Sequence, residues 1–127
     1  MKQAINTIAA PAAIGPYSQA IQVGDMLWVS GQIALDPESM TLIGDDAAEQ
    51  AHQVLTNLGA VLNAADFTYG DLVQCTIFLT DMDDFAAVNA VYSSYMPTPP
   101  PARATVEVSR LPKDVLVEIG ATACRVK

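Results

Sequence analysis

Hydrophobic and polar positions follow one another along the chain in blocks whose period switches between two and about 3.6, and those switches mark the elements. Ala20 to Val23 and Met26 to Ser30 are short apolar-rich runs separated by Gly24-Asp25, a dipeptide that favours a two-residue hairpin turn. Asp36-Pro37-Glu38 is a turn. From Asp46 to Ala65, the residues Ala48, Ala51, Leu55, Leu58, Leu62 and Ala65 recur at helical spacing. Asp45 and Asp46 stand ready as caps and dipole partners.

Leu72 to Thr80 then alternates, with Val73, Cys75, Ile77 and Leu79 set against Gln74, Thr76 and Thr80, which predicts a strand. Asp83 or Asp84 caps a second helix running to about Tyr95 along a stripe of Phe85, Val88, Tyr92 and Met96. Pro97, Pro99, Pro100 and Pro101 stop it. Two strands remain, Ala102 to Val108 and Val115 to Arg125, linked by Ser109 to Asp114. The order β-β-α-β-α-β-β predicts one α+β domain over residues 1–127, with two helices covering one sheet face. Phe78 and Leu116 would then sit on the uncovered face, where self-association would bury them.

Composition narrows the function more than the fold. Half of the 127 residues are hydrophobic and only 16% are charged, which excludes extended disorder. Fourteen acidic residues against six basic ones give a net charge of −8, and the basic residues form no cluster that could neutralise a row of phosphates. Nucleic acid is therefore not an expected partner. A small anionic substrate remains compatible, because one Arg in a cleft acts locally while distant charges are screened over roughly 8–10 Å. Asn6, Thr7 and Pro11 interrupt the apolar residues near the start, and no stretch approaches the roughly 20 apolar residues of a membrane span. A cytoplasmic protein without a membrane partner is expected. Cys75 and Cys124 lie in strand-like runs with no second pair, and read as buried thiols rather than as a disulfide or metal site.

Candidate chemistry concentrates in the last two strands. If they pair as a hairpin closing at Val108 and Val115, Thr105 stands opposite Glu118 and Arg103 opposite Gly120. Alternation then puts Arg103, Thr105 and Glu118 on one face, with Ala104, Val106, Val117 and Ile119 turned into the core. The rigid fork of Arg103 suits a planar carboxylate, and Glu118 can hold or activate a water. A plain cross-strand ion pair, worth about 0.2–1 kcal/mol, explains the same two residues. Near the N-terminus, Gly15-Pro16-Tyr17-Ser18 presents a phenol, and Ser30-Gly31-Gln32 ends a strand with a hydroxyl beside a glycine that permits close approach. Tyr17 alone also reads as a packed aromatic and Ser30 as a turn residue. His52 reads as a solvated helix residue, and Asn89 as an amide fixing a neighbouring loop.

Together these segments resemble the reactive-intermediate deaminases, the RidA/YjgF group, over nearly the whole chain. The resemblance rests on Ala12-Ala13-Ile14-Gly15-Pro16-Tyr17-Ser18-Gln19-Ala20, on Ser30-Gly31-Gln32, and on Asp84-Phe85-Ala86-Ala87-Val88-Asn89 followed by Tyr92. It continues through Pro101-Ala102-Arg103, Val106-Glu107-Val108, Arg110-Leu111-Pro112-Lys113-Asp114 and Val117-Glu118-Ile119. It implies a chorismate-mutase-like mixed sheet assembled as a homotrimer, with clefts between subunits. It also implies hydrolysis of 2-imino and enamine acids such as 2-aminoacrylate, 2-iminopropanoate and 2-iminobutanoate, the products of pyridoxal-phosphate dehydratases, with no metal or organic cofactor. In such a site Arg103 grips the carboxylate, Glu118 positions water, and Tyr17, Ser30, Gly31 and Thr105 line the cleft.

This chain departs from the family pattern in three places. Thr105 stands where many members have Cys, Gly120 where close relatives carry an acidic residue, and the connection from Tyr95 to Pro101 is short. A non-catalytic trimer that binds small keto or amino acids, or a chaperone-like factor, would use the same Arg. Endoribonuclease activity fits poorly with the acidic balance.

Overall fold

The computed structural model describes residues 1–125. Six strands form one mixed sheet: β1 (Gln3–Ile5), β2 (Ala20–Val23), β3 (Met26–Gln32), β4 (Leu72–Leu79), β5 (Ala102–Glu107) and β6 (Val117–Cys124), in the spatial order β1-β2-β3-β6-β4-β5. Two helices, α1 (Ala47–Ala64) and α2 (Phe85–Tyr95), pack on one face. Among the described residues, no helix is long and apolar enough to cross a membrane.

The local expectations hold where nearest-neighbour chemistry decides them. Gly24 adopts a φ of 57° in the tight turn that pairs Val23 with Met26. The carboxylate of Asp46 caps α1 by accepting from Glu49 N at 2.8 Å, and Ala51, Leu55, Leu58 and Leu62 are buried on its inner face. At α2 the cap differs from expectation. Asp84 holds the N-cap position without a side-chain bond, while Asp81 caps a preceding short 3-10 turn, accepting from Asp83 N at 2.9 Å. β1, too short to show a period, joins the sheet only through its antiparallel contact with β2.

The main correction concerns the C-terminal pair of strands. They do not form a hairpin. β5 runs parallel to β4, with Arg103 beside Cys75 and Thr105 beside Ile77, as a strand reached through a helical crossover must. β6 inserts on the other side of β4 and runs antiparallel to it, placing Glu118 beside Phe78. The connection from Val108 to Leu116 therefore steps across the end of β4, tied there by Val108 N donating to Leu79 O and Thr80 N to Leu116 O.

That order also changes which residues share a face. Cys75, Ile77, Leu79, Val117 and Ile119 are buried under the helices as the strand period requires, and Arg103 and Thr105, in register with Cys75 and Ile77, point to that same side. Glu118 points to the opposite, open face, with Phe78, Thr76 and Gln74 as its β4 neighbours on that side. Ala104 and Val106, expected in the core, are exposed on that open face, Val106 by 40%. Phe78 does lie on the uncovered side, joined by Trp28, but Leu116 packs against the core.

Buried amides brace the loops that flank the sheet. Gln19 donates to the carbonyls of Thr7 (3.0 Å) and Pro11 (2.8 Å) and accepts from Thr7 N (2.7 Å), which ties the segment containing Tyr17 to the start of the chain. Asn57 donates from α1 to the carbonyls of Ile33 and Leu35. Arg125 closes the C-terminal end by donating to Ala65 O at 2.8 Å, with its guanidinium 4.2 Å from the Phe67 ring centroid.

Candidate active site

The proposed residues fall into two groups on opposite sides of the sheet. The first surrounds Arg103 on edge strand β5. Its Nη1 donates to Asn89 Oδ1 at 2.6 Å, and its guanidinium carbon lies 5.6 Å from the Phe85 ring centroid and 5.1 Å from that of Tyr92. Phe85, Asn89 and Tyr92 are spaced i, i+4, i+7, so a single face of α2 supplies both rings and the amide. Rings and amide hold the cation without neutralising it. Among the described residues Asn89 is the one hydrogen-bond partner of Arg103, which leaves the rest of its donor fork for a ligand.

Two hydroxyls lie close to this group. Thr105 Oγ1 and Tyr92 Oη are buried without a hydrogen-bond partner of acceptable geometry among the described residues. The Tyr92 hydroxyl sits beside the Cys75 thiol, and burial pushes the pKa of both groups up. Cys75 is thus a protonated, sheltered thiol at neutral pH, as its place in a strand suggested.

The second group gathers where β3 bulges. Between Val29 and Gln32 the pairing with β6 shifts, so that Ser30 and Gly31 occupy the irregular step. Glu118 lies directly over Gly31: a Cβ at residue 31 would come within 2.8 Å of Glu118 Cδ and 3.1 Å of its Cγ. A side chain at residue 31 would push the carboxyl group aside. Partial burial raises the Glu118 pKa. Ser30 Oγ donates to Ser18 O at 2.6 Å, which spends the hydroxyl proton locally and leaves its lone pairs. Tyr17 is 50% exposed and, with Ile14, Gly31 and Gln32, lines a narrow cleft of about 40 Å³.

Within one chain, then, Arg103, Thr105 and Asn89 come together, while Gly31 lies against Glu118 and shares a cleft with Tyr17, and β4 and the thickness of the sheet separate the groups. His52 is exposed, as its position on the first helix suggested, with Nδ1 3.1 Å from Tyr95 Oη. Among the described residues no three His, Cys, Asp or Glu side chains converge as metal ligands would. Sequence reasoning missed Phe85 and Tyr92 as the platform for Arg103, because the same i, i+7 spacing describes an ordinary core stripe. It also treated the prolines after α2 as a helix stop and strand lead-in, whereas Pro97, Pro100 and Pro101 also wall a groove of about 510 Å³ that reaches Arg103.

Residues 7–125 match the family described as Endoribonuclease L-PSP. The chain belongs to that family, the RidA/YjgF group that its motifs resemble. A RutC family protein of Synechocystis is 56% identical over 121 residues, covering 94% of this chain and 93% of its own. A mouse protein named 2-iminobutanoate/2-iminopropanoate deaminase is 46% identical over 123 residues, covering 97% and 91%. A crystal structure from Thermotoga maritima superposes with a TM-score of 0.97 at 47% identity, over 100% of both chains. The mixed sheet with two helices is thus the family's fold.

Proposed function

We propose that this family member hydrolyses 2-imino and enamine acids, including 2-aminoacrylate, 2-iminopropanoate and 2-iminobutanoate, to 2-keto acids and ammonia. The observation that carries this reading is Arg103, a guanidinium held by one amide and two ring faces with most of its donors unspent at the wall of a cavity. Such a fork is built for a carboxylate. The name of the mouse relative supports the same chemistry.

Because Arg103 and Glu118 lie on opposite faces of the sheet, the reading requires a second copy. In a homotrimer, Arg103, Asn89 and Thr105 of one copy meet Tyr17, Ser30, Gly31 and Glu118 of its neighbour. The exposed ring of Trp28 and the exposed Val106 on the open face favour such an assembly. Arg103 grips the substrate carboxylate while Glu118, its pKa raised by burial, orients a water toward the electrophilic imine carbon. An enamine first takes up a proton at carbon to give the imine. The water oxygen then bonds to the imine carbon as the C=N π pair moves onto the protonated nitrogen and the water loses a proton, which gives a carbinolamine. The C–N bond breaks as the nitrogen takes up a proton and the carbinol hydroxyl loses one, and ammonia leaves the 2-keto acid. Tyr17 closes the cleft over the substrate.

The test couples the protein to a pyridoxal-phosphate dehydratase that releases 2-aminoacrylate or 2-iminobutanoate, and follows keto-acid formation. Added protein should accelerate it, and Arg103→Ala or Arg103→Lys should remove about 100-fold of the acceleration while the sedimentation behaviour is unchanged. No acceleration by the unaltered protein would refute the reading.

A further inference from the structure

The cavity beside Arg103 is larger than the smallest imines need. It is an open groove of about 510 Å³ between the C-terminal turn of α2 and the proline segment, within the range of about 300–1,000 Å³ that serves drug-sized ligands. Arg103 and Asn89 stand at one wall, and Tyr92, Met96, Pro97, Pro100 and Pro101 supply most of the remainder. Within one copy the lining is cationic at Arg103, polar at Asn89, Ser93 and Thr98, and apolar at Met96 and the prolines, and the neighbour's Glu118 approaches from the side of Arg103 in the proposed assembly. A ligand whose carboxylate reaches the free fork of Arg103 can lay an apolar chain against Met96 and the prolines. 2-Iminopropanoate, with a single methyl group, leaves that surface bare.

We infer that this cavity is a side-chain subsite, and that it selects 2-imino acids bearing apolar chains of about four to seven carbons over the smallest members of the class. The inference rests on Arg103 being the carboxylate anchor of the proposed deaminase. The walls are fit for selection. Each proline has a fixed φ and no rotamer freedom to lose, so the surface is preorganised, whereas Met96 adjusts its unbranched thioether to chains of different shape. Each methylene buried in a pocket of this kind is worth about tenfold or more in kcat/KM. Ser93 and Thr98, both exposed, add hydroxyls to the lining beside Met96, Pro100 and Pro101.

The experiment uses the full chain and imines made in situ by an amino-acid oxidase from alanine, leucine, methionine or phenylalanine. Its readout is the ratio of kcat/KM for each larger imine to that for the alanine-derived one. The ratio should exceed about tenfold for leucine and methionine in the unaltered protein. Met96→Trp, which fills the cavity, should lower it by at least about tenfold. Met96 also touches the core, so Ser93→Trp, from an exposed position on the cavity rim, provides a second variant that threatens no packing and should move the ratio the same way. Acceleration of the alanine-derived imine with a ratio near one, or ratios that neither variant changes, would overturn the subsite and leave the deaminase reading standing. Failure to accelerate any of the imines would overturn both.

Discussion

Replacing Gly31 by Ala separates stability from site geometry. The new Cβ would lie 2.8 Å from Glu118 Cδ and 3.1 Å from Cγ. Non-bonded carbons rest about 3.5–4.0 Å apart, so the carboxyl end must move by roughly 1 Å. Gly31 is not among the residues with positive φ, so the substitution adds no backbone strain of its own. The cost is a Glu118 side chain pushed off its rotamer, about 0.5–1.5 kcal/mol, equivalent to a fall in Tm of about 2–9 °C for a chain of this size. A roughly 1 Å displacement of a water-orienting carboxylate costs far more in rate, about 100-fold. Thermal unfolding and the coupled imine assay on the same preparation read both quantities. Adding Glu118→Ala removes the clash and should restore the lost stability without restoring activity. Full activity in Gly31→Ala at the expected Tm would show that the position of Glu118 does not matter to the reaction. A double variant no more stable than Gly31→Ala would show that the clash lies elsewhere.

Two further outcomes follow from charges at named positions. Burial raises the Glu118 pKa, so between its unfolded and folded values the native chain binds more protons than the unfolded chain, and stability falls as pH rises through that window. Glu118→Gln should therefore be more stable than the parent above the raised pKa and no different below the ordinary glutamate range, in urea titrations across pH. The acid limb of the parent's activity should vanish in the Gln variant, and a limb unchanged by the substitution would assign it to another group. At the C-terminal end, Arg125→Ala loses a hydrogen bond to Ala65 O and a stacking contact with Phe67. It should lower stability by about 1–3 kcal/mol in urea, with Arg125→Lys intermediate because the ring contact weakens. Equal midpoints in all three chains would remove that contact from the account.

Particular residues show how far the chain could be read directly. The Gly24-Asp25 turn, the Asp46 cap and the buried stripe of α1 were legible because each depends on residues within a few positions of one another. Strand parity was legible too: Arg103 and Thr105 do share a side, as do Ala104 and Val106, and Val117 and Ile119 do enter the core. Their joint assignment failed because Ala104 and Val106, being apolar, look like core while Arg103 looks like surface. At the rim of the sheet that inference reverses, since Phe85, Asn89 and Tyr92 on α2 hold the exposed cation on the helix-covered side.

What the sequence determined by itself is the set of elements, their periods and the motifs that carry the family resemblance, all of which depend on local spacing along the chain. Which strands become neighbours was decided only in three dimensions, where β6 slid between β3 and β4 and β5 was left at the edge. A period of two states which side chains lie together within a strand, but it is silent about the partner strand, and that choice sets where one strand's side chains stand relative to another's. The separation of Arg103 from Glu118 across the sheet is therefore a property of the folded chain as a whole, settled by the burial of β4 and β6 beneath both helices.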